Sequence, residues 1–312
     1  MRSPVLFLVF NRPQTTAKVF ERIRSAKPPK LYIAADGPRE GHKGELESCQ
    51  QVRDIATQVD WPCELKTLFQ DRNLGCKLGV SSGISWFFEQ EPEGIILEDD
   101  VLPVPSFFSY CDELLEKYRF DERVGMISGS NLISSRVDCE ESYFFSKIPL
   151  IWGWAAWRRS WQQYDVSIAQ WPEWDRSGGL EKLFPSKPLV SSYWRNAFNR
   201  VLQGKLNTWD YQLMFARWCY GGLTIIPKSN LTDNLGYGSN ATHTSQNKPA
   251  CLLDSPAMEL PLPLIHPAEI QANDTRDLLI FKHVHEVNLI GFIRRQLRPL
   301  KKLIAPLAGS RS

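Results

Sequence analysis

Three consecutive carboxylates, Glu98-Asp99-Asp100, close the apolar run Ile95-Ile96-Leu97 and stand just before Pro103 and Pro105. A short unbroken apolar run reads as a strand buried on both faces of a parallel sheet. Acids at its carboxyl end lie where open α/β sheets bind ligands. Side chains alternate along a strand, so Glu98 and Asp100 share one side and Asp99 the other, unless the chain has already turned. Their mutual repulsion makes a hard divalent cation the natural compensation. The competing reading is a solvated strand end that caps the next helix.

Asp210 is the second candidate, in the first turn of a helix that Thr208 can cap. The helix dipole favours a charged carboxylate there, and such a group can accept a proton from a hydroxyl. Ordinary helix-end electrostatics would place the same residue. His243, in the polar stretch 236–244, is either a metal or phosphate ligand on a mobile loop or a plain loop histidine. Trp152, Trp154, Trp157 and Trp161 are core by their apolar area, or a platform for sugar rings with Gly153 admitting a ligand to the backbone.

Other matches are weaker. Gly79-Val80-Ser81-Ser82-Gly83 has the letters of a nucleophile elbow but falls inside a helical pattern with no strand leading into it. His283-x-His285 could hold a metal, but two His in a polar segment are more often surface. No phosphate-binding glycine loop with its lysine is present.

The elements that must position these residues alternate. Strands are expected over 5–10, 30–35, 65–69 and 94–98, with helices between them carrying Val19 and Ile23, then Leu46, Cys49, Val52, Ala56 and Val59, then Val80, Ile84 and Phe87. Thr15 or Thr16 can cap the first helix. A helix with Phe107, Cys111 and Leu114 follows the acidic strand. Four strand–helix alternations argue a parallel sheet with right-handed crossovers. Beyond it come a further strand over 124–129, helices around Trp194 and Leu213, the latter ending at Gly221-Gly222, and a strand over 223–227. Residues 248–267 are Pro-rich and read as a connector.

With 312 residues the chain can bury one large or two smaller cores, and a net charge of +2 excludes a polyelectrolyte binder of nucleic acid. Seven scattered Cys without metal-finger spacing suit reduced thiols. The run 5–10 is too short for a secretory core, and no stretch is long enough to span a bilayer, so the expected compartment is the cytoplasm. The three N-x-S/T matches, at Asn230, Asn240 and Asn273, then count as chance. After Glu286 the chain has no acid, while Arg294, Arg295, Arg298, Lys301 and Lys302 cluster beside Leu289, Ile293, Leu300, Ile304 and Leu307. That basic amphipathic pattern predicts either docking on an anionic membrane surface, at the inner face of the plasma membrane, or packing on the domain.

Taken in order, these motifs resemble GT-A nucleotide-sugar glycosyltransferases, in particular the N-acetylglucosaminyltransferase I type. Phe10-Asn11-Arg12 resembles the first-strand end that meets the uridine, and Ala35-Asp36-Gly37 the second-strand end whose Asp reads the uracil. Leu97-Glu98-Asp99-Asp100 resembles the acidic metal motif, which implies that Asp100 ligates Mn2+ or Mg2+ while Asp99 and Glu98 contact ribose or donor sugar. The Trp152-Gly153-Trp154 segment is similar to the one beside the donor sugar. Trp209-Asp210 resembles the pair whose Asp is the base of an inverting transfer, and 238–243, with His243 as a further metal ligand, the loop that orders over bound donor.

The resemblance implies an α/β GT-A (Rossmann-like) fold: a mostly parallel central sheet flanked by helices, with a C-terminal helical appendage. The catalytic domain would span 1–247, with a nucleotide-binding half (1–120) and an acceptor half (121–247), and 248–312 would form the extension. It implies a nucleotide-sugar donor and a glycan or lipid-linked acceptor, in polysaccharide biosynthesis. The rivals are a sugar-nucleotidyltransferase, which wants a glycine-rich basic loop where this chain has Asn11-Arg12-Pro13-Gln14, and an inactive glycan- or nucleotide-binding module.

Overall fold

The computed structural model describes residues 1–237 and 248–287. In chain order the first half runs β1 (Val5–Val9), α1 (Pro13–Ala26), β2 (Lys30–Ala35), α2 (Glu45–Ala56), β3 (Glu64–Phe69), α3 (Gly75–Gln90), β4 (Glu93–Glu98), β5 (Val101–Pro103) and α4 (Ser106–Lys117). The second half runs β6 (Val124–Ser128), β7 (Tyr143–Ser146), β8 (Trp154–Trp157), α5 (Arg158–Trp161), α6 (Trp171–Arg176), α7 (Gly179–Leu183), α8 (Pro188–Leu202), α9 (Asp210–Tyr220), β9 (Leu223–Pro227), β10 (Thr232–Asn234), α10 (Ala250–Leu253) and α11 (Asp274–His283).

Eight strands form one sheet in the order β3-β2-β1-β4-β8-β6-β9-β7, and β5 pairs with β10 in a small separate ribbon. β3, β2, β1 and β4 are mutually parallel, and β6 pairs parallel with β9. β8 runs antiparallel between β4 and β6, and β7 antiparallel to β9. The expected class, a mostly parallel sheet flanked by helices, is what the chain forms. The antiparallel β8 was not foreseen, because Trp154-Ala155-Ala156-Trp157 carries no polar alternation to mark a strand.

Its lack of alternation has a physical cause. Ala155 and Trp157 pack with Val5, Phe7, Ile95 and Leu97 on one face, against α1, α2 and α4. Trp154 and Ala156 pack with Leu6, Leu8 and Ile96 on the other, against α3 and the first turns of α9. Both faces are covered, so these strands are apolar throughout. Gly83, in the elbow-like sequence, lies inside α3, where a Cβ would stand 2.9 Å from the Ala34 Cβ. It is a close packing site of helix on sheet.

Residues 248–287 are stitched into the same body. Ser142 and Ile265 exchange hydrogen bonds, Ser106 Oγ accepts from the Leu260 N–H, and Leu260 and Leu264 enter the sheet core. Ile280 and Phe281 of α11 enter a second core built on α8 and α9. No helix among the described residues is long and apolar enough to cross a membrane. The basic run after Glu286 and the His243 loop fall at 288–312 and 238–247, outside the described residues.

Candidate active site at the sheet switch point

β1 connects onward to β2 on one side of itself, while β4, its neighbour on the other side, is reached only after β3. Such a reversal of strand order opens a crevice beyond the carboxyl ends of the two strands. The residues there are Phe10-Asn11-Arg12 after β1 and Asp99-Asp100 after β4. β4 ends at Glu98, and Asp99 and Asp100 form a turn into β5, so simple strand alternation does not govern them. Asp99 turns back and accepts the Phe10 N–H at 3.0 Å. Arg12 Nη1 donates to Asp100 Oδ2 at 2.5 Å and lies 3.9 Å from Asp99 Oδ1. Arg12 also takes the position before α1, whose first residue is Pro13; the Thr15 and Thr16 hydroxyls donate to the Arg12 carbonyl instead of capping the helix.

Three carboxylates share this space with the Arg12 guanidinium, and it does not balance them. Burial, then Asp100, Asp99 and Asp210, push the Glu98 carboxyl well above the ordinary range, against Arg12. Burial and Asp100 raise Asp99 to about 7, opposed by Arg12 and the Phe10 N–H. Across the crevice the β5–β10 ribbon holds the turn: Leu235 N–H donates to the Asp100 carbonyl at 2.7 Å. A Cβ on Gly236 would stand 2.3 Å from Asp100 Oδ2, so glycine there leaves the carboxylate its room.

The base of the crevice is built by α3. Asp36, at the end of β2, accepts the N–H groups of Gly37, Leu74 and Gly75 at 2.8–3.0 Å and the Asn73 amide at 3.0 Å. Those four donors occupy the acceptor capacity of one carboxylate, so Asp36 braces the loop before α3. Cys76, one residue into α3, has its thiol pushed up to about 12 by burial and by the charges of Glu98, Asp210 and Asp36. Asn11 donates to Glu45 Oε1 at 2.8 Å, and Arg39 chelates the same carboxylate while lying over the Phe10 ring. The sequence reading missed Glu45, whose one signal is an acid at the first residue of a helix. Arg39, then the Arg39 and Asn11 N–H groups, hold its carboxyl down to about 2 despite burial.

Asp210 is the first residue of α9. Trp209, not Thr208, takes the cap position, and the Thr208 hydroxyl donates to Asp210 Oδ1. The turn is held by Tyr164 Oη on the Trp209 carbonyl and by Gln212 on the Thr208 carbonyl. Burial raises the Asp210 pKa, opposed first by Thr208 and then by the N–H groups of Asp210 and Tyr211. The helix end was expected to keep this group simply ionised; burial is the larger influence, and it makes the carboxylate a better proton acceptor.

The tryptophans divide. Trp154 and Trp209 are 1% and 2% exposed and stack with centroids 6.0 Å apart, so they pin α9 to the sheet and offer no open face to a sugar. Trp152 is half-buried, edge-on to Tyr237 at 6.4 Å. Gly153 adopts φ +67°, and a Cβ would meet Thr232 Cγ2 at 2.8 Å, so the glycine serves close backbone packing.

No three His, Cys, Asp or Glu side chains among the described residues converge into a ready metal cage. The oxygen donors and uncompensated charge at Asp99 and Asp100 do suit Mg2+ or Mn2+, which bind through one or two carboxylates together with substrate phosphates.

No family model matches the chain, and no curated protein matches its sequence. Among solved structures, mouse xyloside xylosyltransferase 1 aligns with TM-score 0.32 and 11% identity over 70% of this chain and 81% of that one. An apo UDP-glucose pyrophosphorylase aligns with TM-score 0.31 and 11% identity over 52% and 79%. HddC from Yersinia pseudotuberculosis aligns with TM-score 0.30 and 8% identity over 50% and 77%. At these TM-scores the likenesses decide neither fold nor function, which rest on the chain's own sheet order and side chains.

Proposed function

We propose that this protein is a metal-dependent, inverting glycosyltransferase that moves a sugar from a nucleotide-sugar, first among them a UDP-sugar, to a hydroxyl of a glycan or lipid-linked acceptor. The observation that supports this best is the acidic turn, crossed by Arg12, with the half-buried Asp210 near enough to Glu98 for its charge to act on that carboxyl. A module that only binds has no use for a proton acceptor placed there.

In this reading the nucleoside lies at the β1 and β2 ends. Asn11 and the Phe10–Arg39–Glu45 cluster shape the base pocket, with Asp36 fixing the loop beside it. Glu98 and Asp99 face the ribose or donor sugar. Arg12 reduces the negative potential that a diphosphate must enter. Asp210 takes the acceptor's hydroxyl proton as that oxygen attacks the anomeric carbon. The bond from this carbon to the diphosphate oxygen breaks, its electron pair leaves with the nucleotide, and configuration inverts. A divalent cation on Asp100, with His243 as a further ligand, would supply Lewis-acid stabilisation of the leaving diphosphate.

The test is product identity. With Mn2+ the protein should release UDP from a UDP-sugar, slowly with water and faster with a glycan acceptor. Pyrophosphate release from a nucleoside triphosphate and a sugar 1-phosphate, without UDP release, would make it a nucleotidyltransferase instead.

A further inference from the structure

His285 is not the surface residue its polar sequence context suggests. Its ring packs edge-on to Trp194, with centroids 5.1 Å apart, and against Phe281 and Tyr193. Burial lowers its pKa to about 4, so the imidazole is neutral near pH 7. Its Nε2 is buried without a hydrogen-bond partner, and so is Nε1 of Trp194, a side chain 1% exposed. Unpaired buried polar atoms are costly and call for a reason.

Both side chains line a partly enclosed cavity of about 160 Å³ whose wall also includes Asp210, Tyr211, Trp152 and Ser130. The proton acceptor of the proposed reaction therefore opens into the space that holds the two unpaired nitrogens. Trp152 also touches Tyr237, which follows the Gly236 packed against Asp100, so this indole links the cavity wall to the acidic turn. A cavity of about 150 Å³ takes one six-membered ring. Among the described residues no Lys or Arg is in the wall, so a phosphate or carboxylate would meet Asp210 with none of these to compensate it.

We propose that this cavity is the acceptor subsite, and that it seats one uncharged pyranose whose hydroxyls pair with Trp194 Nε1 and His285 Nε2 while another faces Asp210. The rings and apolar wall match the C–H face of a sugar, and the few polar atoms match its rim. The assignment deepens the glycosyltransferase reading and rests on it. It also gives the segment after α11 a function, because His285 comes from there.

The experiment is saturation-transfer NMR of the full chain with a panel of neutral methyl hexopyranosides, beside calorimetry of UDP with Mn2+. At least one glycoside should bind the wild type. Trp194→Phe, which keeps an aromatic ring and removes the N–H, and His285→Phe should each weaken it about tenfold or more, leaving UDP affinity unchanged. Unchanged UDP affinity also shows that the variants are folded; should Trp194→Phe lose it, His285→Phe alone decides. UDP binding with no glycoside binding, or glycoside binding indifferent to His285→Phe, overturns the subsite and leaves the donor reading standing. Tighter binding of uronic acids or of simple apolar alcohols overturns it too. Loss of UDP binding by the wild type would remove the donor reading itself.

Discussion

Arg12 Nη1 reaches Asp100 Oδ2 at 2.5 Å and Asp99 Oδ1 at 3.9 Å, so the end of β1 places a cation on the turn that ends β4. Removing it should make stability more dependent on pH. The Asp99 carboxyl is raised from 3.8 to about 7, chiefly by burial. A carboxyl raised in this way contributes fully to stability below its unfolded pKa, and that contribution is lost as pH rises through the folded value. Arg12→Ala deepens the loss. Its melting temperature should lie close to wild type near pH 5 and several degrees below it near pH 8, with partial recovery on adding Mn2+. A deficit equal at both pH values would mean that Arg12 does not compensate this cluster.

Gly236 and Gly153 should fail differently when substituted by Ala. At Gly236 the new Cβ meets the end of a flexible side chain, Asp100 Oδ2 at 2.3 Å, so the carboxylate turns aside at small cost to the fold. Gly236→Ala should melt near wild type while metal-dependent UDP affinity falls about tenfold or more, as loss of a charged ligand contact implies. Gly153→Ala adds the cost of φ +67° and of Thr232 at 2.8 Å. It should lose about 1–3 kcal/mol of stability. Calorimetry and melting on both variants check the contrast.

Asp277 ties α11 to β7, its Oδ1 accepting the Ser146 hydroxyl at 2.6 Å and its Oδ2 the Lys147 N–H at 3.3 Å. Burial raises its pKa to about 6, against Ser146 and Lys147. Its contribution to stability is complete below the ordinary 3.8 and fades as pH rises through about 6. Asp277→Asn keeps an acceptor and removes that titration, so its melting temperature should change less than wild type's across this window. Parallel profiles for the two proteins would assign the slope to another group.

The first half of the fold is legible because each strand is a bare apolar run stopped by a turn signal: Asn11-Arg12-Pro13, Asp36-Gly37, the acids after Leu97. The second half is legible in part: the strands at 124–128 and 223–227 and the helices around Trp194 and Leu213 form where the sequence places them, while β8 carries no signal because both its faces are covered and it sits between strands remote in sequence. The acidic turn and Asp210 carry local signals, a charge cluster and a helix start. Asn73, Cys76 and His285 carry none, and Glu45 only that of an acid at a helix start, since what defines them is packing between positions distant in sequence, 34 apart in Asn11–Glu45 and 37 apart in Asp36–Asn73. The tryptophans, readable from the sequence as core or as a sugar platform, are mostly core, because burial is decided by the whole sheet.

The central claim is that Asp210 accepts the acceptor's proton. Its pKa, raised by burial from the ordinary aspartate value, moves the acidic limb of the rate profile upward in pH, with rate rising as the group ionises. The most direct measurement is transfer rate beside UDP-sugar affinity and melting temperature for Asp210→Asn, once an acceptor is found. That variant keeps the shape and removes the base. The account predicts a folded protein with near wild-type donor affinity, a rate lower by about two to four orders of magnitude, and no acidic limb. A folded Asp210→Asn enzyme with near-normal turnover and an unchanged acidic limb would contradict it.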